Sequence, residues 1–127
     1  MESWRQASYP AAMKHQFIYH MCRKPAWQAA RQSGEYAGSE IDLKDGFIHF
    51  STSDQLAETA ALHLAGIEDL LLLKVHVETV SDDLKWETSR DGALFPHLYR
   101  PLRCDEAVEI FELKLDASGR HVFPWLV

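Results

Sequence analysis

A chain of 127 residues, 46% of them hydrophobic and with six glycines and five prolines, can build one ordinary core and leaves no material for a second. Thirteen basic against nineteen acidic residues give a formal charge of −6, which opposes indiscriminate binding to a polyphosphate backbone and disfavours long nucleic acid as a partner. Two cysteines, Cys22 and Cys104, cannot make a disulfide framework or a four-thiolate zinc site, so a reducing, cytoplasmic setting is the default expectation.

In chain order, residues 1–15 mix Trp4, Tyr9 and Pro10 with small and charged residues and show no period; they are read as an N-terminal arm before a single globular domain over 16–127. The arm has no continuous apolar stretch and the longest apolar run, 70–73, is too short to span a bilayer, so neither export nor membrane insertion is expected. Residues 17–22 are β-branched and aromatic, a first strand. Pro25 then sits where the first turn of a helix tolerates it, and Gly34 ends that helix. Residues 38–45 read as a polar turn, and Asp45-Gly46 leads into a second strand over 47–50.

Thr52 with Gln55 three residues later is a capping-box signature that opens a second helix through about Ala65, stopped by Gly66. Its Leu56, Ala60 and Leu64 recur at helical spacing and face the core, with His63 at the boundary. Over 71–78, Leu71, Leu73, Val75 and Val77 alternate with Leu72, Lys74, His76 and Glu78, the clearest strand, and one that turns His76 away from the main core. A short strand over 84–87, a longer one over 107–115 and a hydrophobic tail over 121–127 that adds a last strand complete the list. Two helices and mostly strands give an α+β domain of small mixed or split antiparallel sheets, not the regular alternation of a doubly wound sheet. Neither a Gly-x-Gly-x-x-Gly turn nor a Gly-x-x-x-x-Gly-Lys loop is present, so a nucleotide would be held by side chains and strand edges.

Three histidines stand in or beside aromatic runs: His20 in Ile18-Tyr19-His20, His49 in Gly46-Phe47-Ile48-His49-Phe50-Ser51, and His97 in Phe95-Pro96-His97-Leu98-Tyr99-Arg100-Pro101-Leu102. Imidazole titrates near neutrality, so each is a candidate donor, base or metal ligand. His20 shares strand parity with Ile18 and Cys22, and His49 with Phe47 and Ser51; if the two strands are neighbours, their histidines converge on one groove with the Ser51 hydroxyl and an apolar wall from Tyr19 or Phe47. The alternative is a pair of core histidines whose ring nitrogens are satisfied by backbone or carboxylate. Pro96 and Pro101 remove backbone donors, so 95–101 reads as a stiffened loop that either presents His97 to a ligand or plugs the end of a sheet. Glu87 is the carboxylate expected nearest that loop. No His-x-x-x-His or His-x-His spacing supports a metal site, and none is assigned. A thiolate pair between Cys22 and a histidine competes with Cys22 as an inert small hydrophobe.

These three stretches together with Trp27 resemble the bacterial and plant family called domain of unknown function 952, over about residues 17–115. That family in turn resembles, remotely, the ADP-ribosyltransferase and RNA 2′-phosphotransferase fold, in which two small sheets form a split cleft for NAD. The resemblance implies catalytic roles for His20, His49 and His97, and ligand contacts from Tyr19, Phe47, Ser51, Tyr99 and Arg100, with Arg100 or Arg23 offsetting phosphate charge. It implies NAD as a substrate, or another small nucleotide-derived ligand, with ADP-ribosyl or 2′-phosphate transfer. Met21 and Cys22 follow the first histidine where the transferases commonly have Gly, and no carboxylate matches their catalytic glutamate. A non-catalytic ligand-binding or interaction module that lost this carboxylate is the competing expectation. Oligomeric state is not indicated.

Overall fold

The computed structural model describes residues 15–89 and 92–123. The N-terminal arm, apart from its last residue His15, and the end of the hydrophobic tail with Trp125 lie outside them. The β-branched and aromatic run Phe17–Arg23 forms β1. Pro25 then opens helix α1, Lys24–Ser33, and Gly34 closes it in the left-handed conformation, donating its N–H back to the Ala30 carbonyl. Strands β2 (Glu35–Tyr36) and β3 (Ile48–His49) flank helix α2 (Glu40–Asp45), and helix α3 (Leu56–His63) follows a 3₁₀ turn capped by Thr52 and Gln55. After β4 (Leu70–His76) comes the one-turn helix α4 (Val77–Val80), then β5 (Leu84–Thr88), β6 (Leu94–Leu98), β7 (Leu102–Arg103), β8 (Ala107–Leu115) and β9 (His121–Val122).

The architecture is α+β, with every strand pair antiparallel. One sheet runs β1-β4-β8-β9, a second β3-β6-β5, and β2 pairs with β7. The two larger sheets meet where Tyr19 of β1 exchanges both backbone hydrogen bonds with Ser51, at 2.8 Å each. Ile18, Leu71, Leu73 and Val75 on one face of the four-stranded sheet pack with Trp27, Ile48, Phe50 and Leu98. Leu70 and Leu72 on the other face pack with Leu56, Ala60, Leu113 and Phe123. No helix among the described residues is long and apolar enough to cross a membrane.

Four expectations need correction. The described residues hold four α-helices rather than two, because 40–45 and 77–80 are also helical; Ser39 caps the first of these and the Asp42 carboxylate returns to the Ser39 N–H, a local signal outweighed in the sequence by flanking glycines. Residues 94–98 are the central strand of their sheet and not a loop. Pro96 is tolerated there because its polar edge faces the end of β3 and not β5: its carbonyl accepts from Phe50, and the paired strand stops at His49, just before the position where a donor from residue 96 would be needed. Leu72, on the face expected to point away from the core, is fully buried because α3 covers that face as well. Finally, β4 stops at His76, where the chain turns into α4, and α3 stops at His63 rather than Ala65.

Candidate functional site

A cleft of about 590 Å³ opens where β1 meets the segment 49–51, walled further by the start of α2, one side of α3 and the β5–β6 hairpin. Tyr19, His20, His49, Ser51 and His97 all line it, with Phe50 and Phe95 as additional aromatic walls.

His20 is 5% exposed and internally satisfied. Its Nδ1 lies 2.6 Å from the His49 carbonyl, an obligate acceptor, so Nδ1 carries the proton. Nε2 is then a lone pair, and accepts the Tyr36 hydroxyl at 2.7 Å. Burial pushes the His20 pKa down against the opposing charge of Asp42, in accord with a neutral ring. The role of directing a ribose hydroxyl, implied by resemblance, finds no free nitrogen on this ring. Tyr36 is pushed up, first by burial, and stays a donor.

Asp42 organises the back of the cleft. It is 2% exposed, with Oδ2 accepting from the Ser39 N–H at 2.7 Å and the Ser39 hydroxyl at 3.0 Å, and Oδ1 accepting from the His49 N–H at 3.1 Å and His49 Nδ1 at 2.5 Å. Burial alone would raise its pKa, but His49, the nearby His20 and the Ser39 and His49 amides outweigh burial and keep it low. His49 is correspondingly raised, chiefly by the Asp42 hydrogen bond, with Asp45 Oδ2 at 3.1 Å from its Nε2. A buried carboxylate therefore favours the protonated form of the His49 ring at the rim. His20 Nε2 sits 3.7 Å from Asp42 Oδ2, close enough to feel its charge but beyond hydrogen-bonding distance.

His97 is 6% exposed and stands in β6 directly across from His49, the two rings 5.3 Å apart and roughly perpendicular. Phe47 stacks on it at 4.1 Å, and its Nδ1 is 2.7 Å from Glu87 Oε1, which also accepts the Tyr99 hydroxyl at 2.7 Å. Phe47 and Tyr99, expected to touch ligand, form a packed layer with His97 and are not among the residues that line the cleft. Ser51 lines the cleft, while its backbone is spent on Tyr19.

Arg100 does not reach the cleft. Its guanidinium is bidentate to Glu106, 3.0 Å on each oxygen, and its Nε is 3.0 Å from Asp83, while Arg23 pairs with Asp69. The phosphate-offsetting role expected for either arginine is thus replaced by structural ion pairing. Burial pushes the Cys22 thiol up to about 11, which makes it a packing residue and not a nucleophile. Among the described residues no three His, Cys, Asp or Glu side chains are grouped to hold a metal ion.

Sequence reasoning missed Tyr36, Asp42 and Asp45. Ser39-x-x-Asp42 before an apolar residue was the legible signal for Asp42; nothing local announces Tyr36, which reaches His20 from a two-residue strand.

The family model described as "Protein of unknown function (DUF952)" matches residues 21–110. The chain belongs to that family. A crystal structure of protein CC0527 from Caulobacter crescentus is similar to this DUF952 chain at 45% identity and a TM-score of 0.83, covering 87% of this chain and 96% of that one. A crystal structure of a CC0527 double mutant gives the same values, and the solution NMR structure of CC0527 has the same identity and coverage with a TM-score of 0.78. The fold is shared over nearly the whole of that protein. None of the curated proteins matches the chain.

Proposed function

We propose that this DUF952 protein binds a small NAD-derived or other nucleotide-derived ligand in the cleft and transfers an ADP-ribosyl or 2′-phosphate group, on a fold of the ADP-ribosyltransferase type. The observation that carries this proposal is the cleft itself, set at the junction of two small antiparallel sheets and lined by Tyr19, Phe50, Phe95, Ser51, His49 and His97. Its volume lies within the usual range for small-molecule sites, roughly 300–1,000 Å³. The aromatic walls suit a nicotinamide or purine ring, and Ser51 supplies a hydroxyl for a carboxamide or ribose. His20 shapes the cleft through Tyr36 and the His49 carbonyl.

Titration of ¹⁵N-labelled protein with NAD, ADP-ribose and a 2′-phosphorylated oligonucleotide, each to millimolar concentration, tests the proposal, with chromatographic detection of released nicotinamide or transferred phosphate. Shifts confined to residues 19–21, 49–51 and 95–97 are expected. Unperturbed spectra with all three ligands would refute it.

A non-catalytic ligand-binding module is the second possibility, favoured by one observation: Asp42, the one carboxylate among the described lining residues, spends both oxygens on Ser39 and His49. It predicts saturable binding with no turnover.

A further inference from the structure

We infer that Glu87 is the positioning residue that makes His97 a base toward a hydroxyl of the bound ligand; this rests on the transfer function proposed above. Glu87 lies in β5 opposite Phe95, two positions along from Lys85, which is opposite His97, so Glu87 and His97 are diagonal neighbours on one face of the sheet. An ionised carboxylate only accepts hydrogen bonds, so the 2.7 Å contact requires the proton of a neutral His97 to sit on Nδ1. Nε2 is then a lone pair, and it has no hydrogen-bond partner among the described residues, while His97 itself lines the cleft.

The ring is not free to turn away from this arrangement. Phe47 covers one face with an interplanar angle of 23°, and the backbone of His97 is held between His49 and Lys85 in the middle of its sheet. Tyr99 donates to the same Glu87 oxygen, which fixes the carboxylate. That hydroxyl first, and the His97 ring second, hold the Glu87 carboxyl below its ordinary range, so it stays ionised while the ring changes charge. In the step itself, the ligand hydroxyl forms a bond from oxygen to the electrophilic carbon or phosphorus. Its O–H proton passes to Nε2, and the leaving group departs with its bonding electron pair. The imidazolium so formed faces the Glu87 charge until it returns the proton to the leaving group or to water.

Long-range ¹H–¹⁵N correlation spectra of the histidine rings, recorded alongside transfer assays with NAD and the 2′-phosphorylated oligonucleotide, test this inference. The wild-type protein is expected to show His97 as the Nδ1–H tautomer and Glu87→Ala to convert it to Nε2–H, with Tyr99→Phe leaving the tautomer unchanged. Transfer by Glu87→Ala should fall about 100-fold with KM for the ligand little changed, the scale of a general base. An Nε2–H tautomer in the wild-type protein, or full transfer activity in Glu87→Ala, overturns the inference. If the wild type transfers nothing but carries the Nδ1–H tautomer and Glu87→Ala loses it, the transfer function and the base role are refuted while the positioning of His97 by Glu87 stands.

Discussion

Replacing Asp42 by alanine removes an acceptor that serves four donors at once, the Ser39 amide and hydroxyl and the His49 amide and ring. The Ser39 hydroxyl and the half-exposed His49 ring can turn toward water, so their loss is cheap. The two backbone N–H groups cannot move without unwinding α2 or parting β3 from its neighbour, and each buried donor left unpaired costs about 1–3 kcal/mol. The sum, about 2–6 kcal/mol, brackets the roughly 3–5 kcal/mol typical of breaking a buried ion pair. Against a domain stability of about 5–15 kcal/mol this is a large fraction. At a urea dependence of about 2 kcal/mol per molar, the unfolding midpoint followed by circular dichroism should fall by about 1–3 M. Asp42→Asn should lose about half as much, because in either orientation its NH₂ group faces donors. A loss below about 1 kcal/mol for Asp42→Ala would show that water replaces the carboxylate at little cost, and would refute its organising role.

Three other outcomes are expected. Gly38 has φ +108°, and a Cβ there would stand 2.6 Å from the Asp42 Cβ, so Gly38→Ala should destabilise by at least about 2 kcal/mol in the same urea experiment; a neutral result would mean the turn relaxes freely. On pH, His20 is depressed below its ordinary 6.5 and Asp42 below 3.8, so their contributions are present above those values and lost as pH falls, while His49, raised above 6.5, contributes below that value and is lost as pH rises through its folded pKa. Urea midpoints from pH 4 to 9 should therefore pass through a maximum, and His49→Gln should flatten the alkaline limb; an alkaline decline unchanged in that variant would assign it elsewhere. Arg100→Ala strands Glu106, whose side chain is only 9% exposed, and should cost about 1–2 kcal/mol without altering any ligand-induced shift; weakened binding would return Arg100 to the site.

The fold was legible where one local force dominates. Phe17–Arg23 and Ala107–Leu115 are strands by composition, Lys24–Ser33 is bounded by Pro25 and Gly34, and Thr52 with Gln55 marks the turn into Leu56–His63. It was illegible where tertiary partners override a local rule. Pro96 argues against a central strand until the end of β3 is known, and Leu72 reads as outward until a helix covers it. The same division runs through the site. Sequence alone placed His20, His49, His97 and Ser51 on strands or beside aromatic residues, and strand parity brought two of them to one groove, because alternation is a property of the chain. Which histidine keeps a free nitrogen is decided by neighbours elsewhere in the chain: Tyr36 and the His49 carbonyl close His20, Asp42 and Asp45 engage both nitrogens of His49, and Glu87 takes only one nitrogen of His97. Hydrogen bonds over such separations depend on sheet order and register, which only the packed structure sets.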